Sequence, residues 1–109
     1  GDVVASYVYQ ESEDKSKTWV ERKGHTIDFL KNHAPRNAKI IALGDKLANI
    51  RALYRDYKIL GEELWQGFNM KDKMQGWYYR GMIEGFADLS EFHEYEEYCQ
   101  LVNEVFPEE

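Results

Sequence analysis

The spacing of apolar residues constrains this chain more than any other feature of its sequence. Through most of the 109 residues they recur every three or four positions, and no stretch alternates cleanly between apolar and polar residues. That spacing is typical of amphipathic helices rather than strands. We therefore predict an all-α fold, a five- to six-helix bundle that forms one domain over residues 1–109.

Start and stop signals set the predicted helix boundaries. Thr18 with Glu21 three residues later predicts a capping box at a helix start, and Pro35 predicts the end of that helix near Asn32. The segment NMKDKMQG, residues 69–76, is predicted to be a loop. The helices are predicted over residues 2–9, 18–32, 37–54, 58–68, 76–89 and 91–106. Three glycines in the fifth helix either weaken it or let another helix approach closely: Gly76, Gly81 and Gly85.

Composition and charge exclude several classes of protein. The net charge of -6 argues against sequence-independent binding to nucleic acid, and no apolar run approaches the length of a membrane span. A single cysteine, Cys99, excludes a disulfide framework or a Cys-based zinc cluster and fits a reducing cytoplasm. We expect no nucleic-acid partner, no membrane partner and a cytoplasmic location.

The charge is unevenly divided along the chain. Residues 1–60 hold 11 Lys and Arg against 8 Asp and Glu, a balance of +3, whereas residues 61–109 hold 3 against 12, a balance of -9. The first part could meet an anionic ligand, and the second would repel one. The alternative is that these charges only solvate helix faces, and we interpret the acidic stretch 91–109 in that way.

Outside one region of the sequence, few residues suggest a catalytic or metal-binding role. No glycine-rich phosphate loop, nucleophile elbow, HExxH or CxxC pattern occurs. His25 and His33 are predicted to be surface or capping residues, and Trp65, Trp77 and the tyrosines are predicted to pack in the core. Cys99 is expected to be a small buried apolar residue.

One group of candidate binding residues remains, in the third predicted helix. Asp45 and Asn49 are four residues apart and so share a helix face, with Lys46 and Arg51 beside them. A carboxylate, an amide and nearby cations suit a metal ion that bridges to a phosphate. Because its neighbours are apolar, Asp45 is expected near the buried side of the helix.

The run A-K-I-I-A-L-G-D-K-L-A-N-I-R, residues 38–51, resembles the last metal-ligand helix of HD-domain phosphohydrolases. Within that superfamily it is most similar to the RelA/SpoT-type and small stand-alone hydrolases of the alarmone (p)ppGpp. The stretches E-D-K at 13–15, E-R-K at 21–23 and H-A-P at 33–35 resemble the small members in order and spacing. The resemblance covers about residues 1–57, a partial HD domain, and residues 58–109 would be a C-terminal helical extension.

The resemblance implies roles for individual residues. Asp45 would be the final ligand of a Mn²⁺ ion, Asn49 would contact the sugar or phosphate of the nucleotide, and Lys15 would pair with a substrate phosphate. Arg22 and Lys23 would either join the site or only stabilise their helix. Gly44 stands where the family usually has Ala.

The chain departs from the family pattern in one large respect. The family's early histidine, its His-Asp pair and its Glu-Asp couple would all lie upstream of residue 1, and one aspartate cannot hold a catalytic Mn²⁺. We therefore expect no catalytic residue within this chain, no hydrolysis by it alone, and self-association through the apolar face of residues 2–9. The chain would be either part of a longer enzyme or a remnant retained for another role.

The function implied is part of a Mn²⁺-dependent phosphohydrolase that, when intact, removes the 3'-pyrophosphate of guanosine tetra- or pentaphosphate. Two alternatives stay open at this stage. One is an HD hydrolase of another nucleotide, and the other is a non-catalytic helical module that binds a partner protein.

Overall fold

A computed structural model describes residues 17–67 and 72–107 of the chain. This part holds four α-helices and no strand: α1 (Trp19–Asn32), α2 (Arg36–Leu60), α3 (Asp72–Gly85) and α4 (His93–Val105). Two 3₁₀ segments, Gly61–Gly67 and Ala87–Leu89, follow α2 and α3. The all-α prediction is confirmed for these residues, whereas the predicted helix at residues 2–9 lies outside them.

Local signals explain how α1 begins and ends. The Glu21 amide donates to the Thr18 hydroxyl, and the Thr18 amide donates to the Glu21 carboxylate, each at 3.1 Å. This is the predicted capping box. Pro35 lies just before α2 in an extended conformation, so the predicted break between the two helices is also confirmed.

Helix α2 is longer than predicted. It continues beyond Tyr54 to Leu60 as one helix of 25 residues, and it ends at Gly61, whose φ of 61° is a left-handed conformation that favours glycine. The residues after it form the 3₁₀ segment Gly61–Gly67 instead of the predicted α-helix at 58–68. The predicted loop at 69–76 is also wrong in part, because α3 begins at Asp72.

The helices pack in two pairs around one core. Helix α2 packs against α4, α1 packs against α3, and α3 also contacts α4. The largest fully buried side chains come from α2, α3, α4 and the residues between α3 and α4: Ile50, Met82, Phe86, Leu89, Tyr98 and Val102. Aromatic rings stack at one end of this core, where the Phe106 ring lies 5.3 Å from Trp65 and 5.8 Å from Tyr79.

The glycines of α3 allow α1 to approach closely. A Cβ on Gly81 would lie 2.6 Å from the Ile27 side chain, and a Cβ on Gly85 would lie 2.6 Å from Cβ of Leu30. Both distances are too short for real Cβ contacts. Close approach, the second of the two predicted explanations, therefore applies to these two glycines.

Ion pairs connect the basic first part of the chain to the acidic second part. Arg51 donates two hydrogen bonds of 2.6 and 2.7 Å to Glu97, and Lys39 donates one of 2.8 Å to Asp88. Arg36 likewise pairs with Glu91. The opposite charges of the two parts therefore form ion pairs between α2 and the segments that follow α3, in addition to solvating the surface.

Candidate functional site

The predicted site lies on the side of α2 that points away from the core. Five residues at helical spacing are exposed on this side, and we name them the α2 outer face: Ile41, Gly44, Asp45, Ala48 and Asn49. The opposite side of the helix carries the buried residues Leu43, Leu47 and Ile50. Asp45 and Asn49 therefore share a face, as their spacing predicts.

The expectation that Asp45 lies near the buried side is wrong. Its side chain is 51% exposed, and its Oδ2 atom lies 3.4 Å from Nζ of the adjacent Lys46. The apolar neighbours in the sequence point to the other side of the helix, because residues one and two positions away are rotated by about 100° and 200°. A carboxylate at this position avoids the desolvation cost of burial.

Lys46, in contrast, is largely covered. Its side chain is only 12% exposed, and its Nζ lies 5.7 Å from the centroid of the Tyr78 ring. Lys23 on α1 approaches the same ring, with its Nζ 5.0 Å from the centroid, and lies 6.0 Å from that of Trp19. Two lysines from different helices therefore converge on one tyrosine of α3.

Arg51, which the sequence placed beside Asp45, contacts a different helix in the structure. Its guanidinium forms a bidentate pair with Glu97 of α4, and this hydrogen bond raises the pKa of Arg51 and lowers that of Glu97. Arg51 therefore connects α2 to α4 and does not flank Asp45 as expected. Lys15, the third residue implied by the resemblance, lies outside the described residues.

Tyr79, next to Tyr78, responds to the same charges. Burial raises the pKa of Tyr79 to about 12, the Lys46 charge opposes that rise, and the Asp45 charge adds to it. The Tyr79 hydroxyl is therefore protonated near neutral pH. It is not available as a general base there.

The remaining candidates from the sequence have structural positions. His25 and His33 are exposed, and His33 caps the C-terminal end of α1, as predicted. Trp65 is buried, so its predicted position in the core is confirmed. Trp77 is 39% exposed and is therefore only partly packed in the core. Cys99 is half-buried, and burial raises the pKa of its thiol.

No pattern in the sequence indicated that Tyr78 lies beside Lys23 and Lys46. Tyr78 lies on α3, more than 30 positions from Lys46 on α2, and only the tertiary packing of the helices brings its ring to both lysines. Lys23 had a weak signal, since it belongs to the E-R-K stretch. No local pattern connects either residue to Tyr78.

Among residues 17–67 and 72–107, no group of three or more His, Cys, Asp or Glu side chains is arranged to hold a metal ion. Within the same residues, no helix has both the length and the apolar character needed to cross a bilayer. Comparisons of the chain with protein-family models, curated proteins and solved structures found no match.

Proposed function

We propose that this chain is part of a Mn²⁺-dependent phosphohydrolase that, when intact, hydrolyses the 3'-pyrophosphate of guanosine tetra- or pentaphosphate. The observation that supports this proposal most is the position of Asp45 and Asn49. The two lie one turn apart on the α2 outer face, where a ligand in solvent can reach both.

The contacts of Asp45 contribute little to the stability of the fold. Among the described residues, its one ion pair joins it to the next residue in the chain, and half of its side chain is exposed. At 3.4 Å and between adjacent residues, this pair connects no separate elements of the fold. By comparison, Asp88 pairs with a buried lysine and Glu97 with an arginine from another helix. A carboxylate without such a role is free to serve a ligand.

The described residues do not fit a manganese ion by themselves. Mn²⁺ prefers about six oxygen or nitrogen ligands, and in the described part of the chain no group of three or more His, Cys, Asp or Glu side chains is arranged to hold an ion. Under the proposal, Asp45 supplies one ligand and residues upstream of residue 1 supply the rest. Asn49 would bind the nucleotide, and Lys15 would bind a phosphate.

Two polypeptides test the proposal. The first is the 109-residue chain, from which we expect no pyrophosphate release from ppGpp with or without Mn²⁺. The second is the product of the same reading frame extended upstream of Gly1, which we expect to contain an H…HDxxED pattern. The extended protein should release pyrophosphate only with Mn²⁺, and Asp45→Asn should abolish that release.

A matched control is Asp56→Asn, which changes another exposed aspartate on α2 that pairs with its neighbour Arg55. It should leave the rate of pyrophosphate release unchanged. Release that survives Asp45→Asn, or an extended protein without the histidine and His-Asp motifs, would contradict the proposal. Activity on dNTPs or nucleoside monophosphates in place of ppGpp would identify an HD hydrolase of another nucleotide.

One observation favours the second candidate, a non-catalytic interaction module. Three isoleucines of α2 are unusually exposed: Ile40 at 44%, Ile41 at 48% and Ile59 at 74%. Ile40 and Ile41 are adjacent, whereas Ile59 lies about five turns further along α2, so the first two alone belong to one apolar patch of the kind that marks protein-binding surfaces. An inactive extended protein whose isoleucines become protected from solvent in a complex would support this candidate over the enzyme.

A further inference from the structure

We propose that this chain forms an antiparallel homodimer through the exposed side of α2. Six residues of α2 recur in alternating steps of four and three positions along this side, and we name them the α2 seam: Ile41, Asp45, Ala48, Ala52, Arg55 and Ile59. Alternating steps of four and three are the spacing by which two helices pack along a shared line. Five of the six residues are exposed, and Ala52 is half-buried. The α2 seam therefore offers a long surface to a second helix.

The order of residues along the α2 seam is symmetric about Ile50. Three pairs are equally distant from that residue, at nine, five and two positions: Ile41 with Ile59, Asp45 with Arg55, and Ala48 with Ala52. When two copies of one helix pack antiparallel about a two-fold axis, a residue before the midpoint meets the residue that follows the midpoint by the same distance. Each layer of the dimer then joins apolar to apolar, small to small, or acidic to basic side chains.

The charged layer determines both the partner and its direction. In an antiparallel pair, Asp45 of each copy meets Arg55 of the other, so the attraction occurs twice. In a parallel pair, Asp45 would meet Asp45 and Arg55 would meet Arg55, and like charges in contact oppose binding. In the monomer, Asp45 lies 3.4 Å from the adjacent Lys46 and Arg55 lies 3.3 Å from the adjacent Asp56. Neither contact connects two elements of the fold, so both side chains can turn toward a second copy.

The apolar ends of the α2 seam cannot cover each other within one molecule. Ile41 is 48% exposed and Ile59 is 74% exposed. About 27 Å of helix separates them, at 1.5 Å per residue. In the antiparallel dimer, Ile41 of each copy packs on Ile59 of the other, which removes apolar surface from water at both ends. Between these ends, the small side chains of Ala48 and Ala52 let the two helices approach closely.

The dimer rests on neither of the candidate functions proposed above. In the dimer Asp45 faces Arg55 of the second copy, whereas in the extended enzyme it would face a metal ion, so one carboxylate cannot serve both at once. The two proposals are tested on different proteins. Dimer formation is measured on the 109-residue chain with EDTA present, and hydrolysis is measured on the extended protein, so either proposal can fail without the other.

Sedimentation equilibrium of the 109-residue chain at several concentrations tests the dimer. We expect a reversible equilibrium in which the monomer predominates in dilute solution and the dimer at high concentration. Arg55→Asp places two carboxylates in each charged layer, and Asp45→Arg places two cations there. Each variant alone should raise the dissociation constant of the dimer about tenfold or more. A mixture of the two variants, or one chain with both changes, should restore the wild-type affinity, because each layer again joins opposite charges.

The chain offers two matched controls on the same helix. Ile40 is 44% exposed, nearly as much as Ile41, but it lies about 100° around the helix from that residue. Ile41→Ser should weaken the dimer, whereas Ile40→Ser should not. Lys58 is exposed and lies beside the α2 seam rather than on it, so Lys58→Asp should leave the dissociation constant unchanged although it reverses a charge as Arg55→Asp does. Circular dichroism establishes that each variant is folded.

Three results would overturn the dimer proposed here. The first is a chain that stays monomeric up to its limit of solubility. The second is association that neither Ile41→Ser nor Arg55→Asp weakens, which would assign it to another surface, such as the predicted apolar face of residues 2–9. The third is a mixture of Arg55→Asp and Asp45→Arg chains that associates no better than either variant alone.

Discussion

The Tyr98 hydroxyl donates a 2.7 Å hydrogen bond to the backbone carbonyl of Tyr79, and so connects α4 to α3 inside the core. Tyr98 is fully buried, and this burial holds the pKa of its hydroxyl far above the ordinary value. The hydroxyl therefore keeps its proton and its role as a donor at neutral pH.

Replacing Tyr98 by Phe should lower the free energy of unfolding by about 1.5 kcal/mol, because a buried hydrogen bond is lost while the ring remains. Urea unfolding followed by fluorescence measures this change. Tyr54→Phe is the control, since Tyr54 is only half-buried, and it should change stability by less than about 0.5 kcal/mol. Equal effects of the two variants would mean that the Tyr98 hydrogen bond contributes nothing specific.

Gly85→Ala should destabilise the protein by about 1–3 kcal/mol, because the new Cβ would collide with Leu30 in α1. Gly44→Ala should instead stabilise it by about 1 kcal/mol, since alanine favours the helix and no atom lies within 4 Å of the new Cβ. Thermal unfolding of both variants gives the comparison. Two changes of the same sign would contradict the packing of α1 against α3 described here.

Asp45→Asn should change the free energy of unfolding by less than about 0.5 kcal/mol, because the carboxylate is half-exposed and its 3.4 Å contact with Lys46 joins adjacent residues of one helix rather than two elements. Asp88→Asn is the contrasting variant. It removes the partner of Lys39, whose side chain is only 9% exposed, and should be clearly more destabilising. A large loss for Asp45→Asn would show that Asp45 is a structural residue and would weaken the proposed function.

Acid should weaken the contact between α2 and α4. The hydrogen bond from Arg51 lowers the pKa of Glu97 below its ordinary 4.5. A carboxylate with a lowered pKa in the folded protein adds stability above its ordinary pKa. That stability is lost as the pH falls through the lowered value.

Arg51→Met should therefore destabilise the protein at pH 7, and its difference from the wild type should shrink as the pH falls below 4.5. Urea midpoints at several pH values measure the trend. Arg55→Met on the same helix is the control, since Arg55 pairs only with the adjacent Asp56 among the described ion pairs and should show little pH dependence. A difference between Arg51→Met and wild type that stays constant with pH would contradict the pairing with Glu97.

Features that depend on neighbouring residues were predictable from the sequence. The capping box of Thr18 and Glu21 and the break at Pro35 each need only a few positions, and both are present. The end of α2 was not predictable to the residue, because no strong helix breaker occurs between Tyr54 and Gly61. The start of α3 was missed because residues 69–76 are mostly polar, a composition typical of a loop, although Asp72 and the residues after it are helical.

The candidate site, too, was predictable from the sequence only in part. The shared face of Asp45 and Asn49 follows from helical spacing alone. The exposure of Asp45 follows from the helical rotation between it and its apolar neighbours, whereas the pairing of Arg51 with Glu97 depends on how α2 packs against α4. The contacts of Tyr78 with Lys23 on α1 and Lys46 on α2 depend on tertiary packing in the same way. The proposed role of Lys15 stays a prediction.

Helix α4 comes last among the described helices, yet Tyr98 and Val102 lie fully buried at the centre of the core, and Phe106 stacks on Trp65 and Tyr79. A ribosome releases α1, α2 and α3 before α4, so the apolar side of α2 has no complete partner while the chain is still being made. The domain must therefore finish folding after the last helix has left the ribosome. A premature stop codon before Tyr98 would yield a product that exposes its core and is open to aggregation or proteolysis.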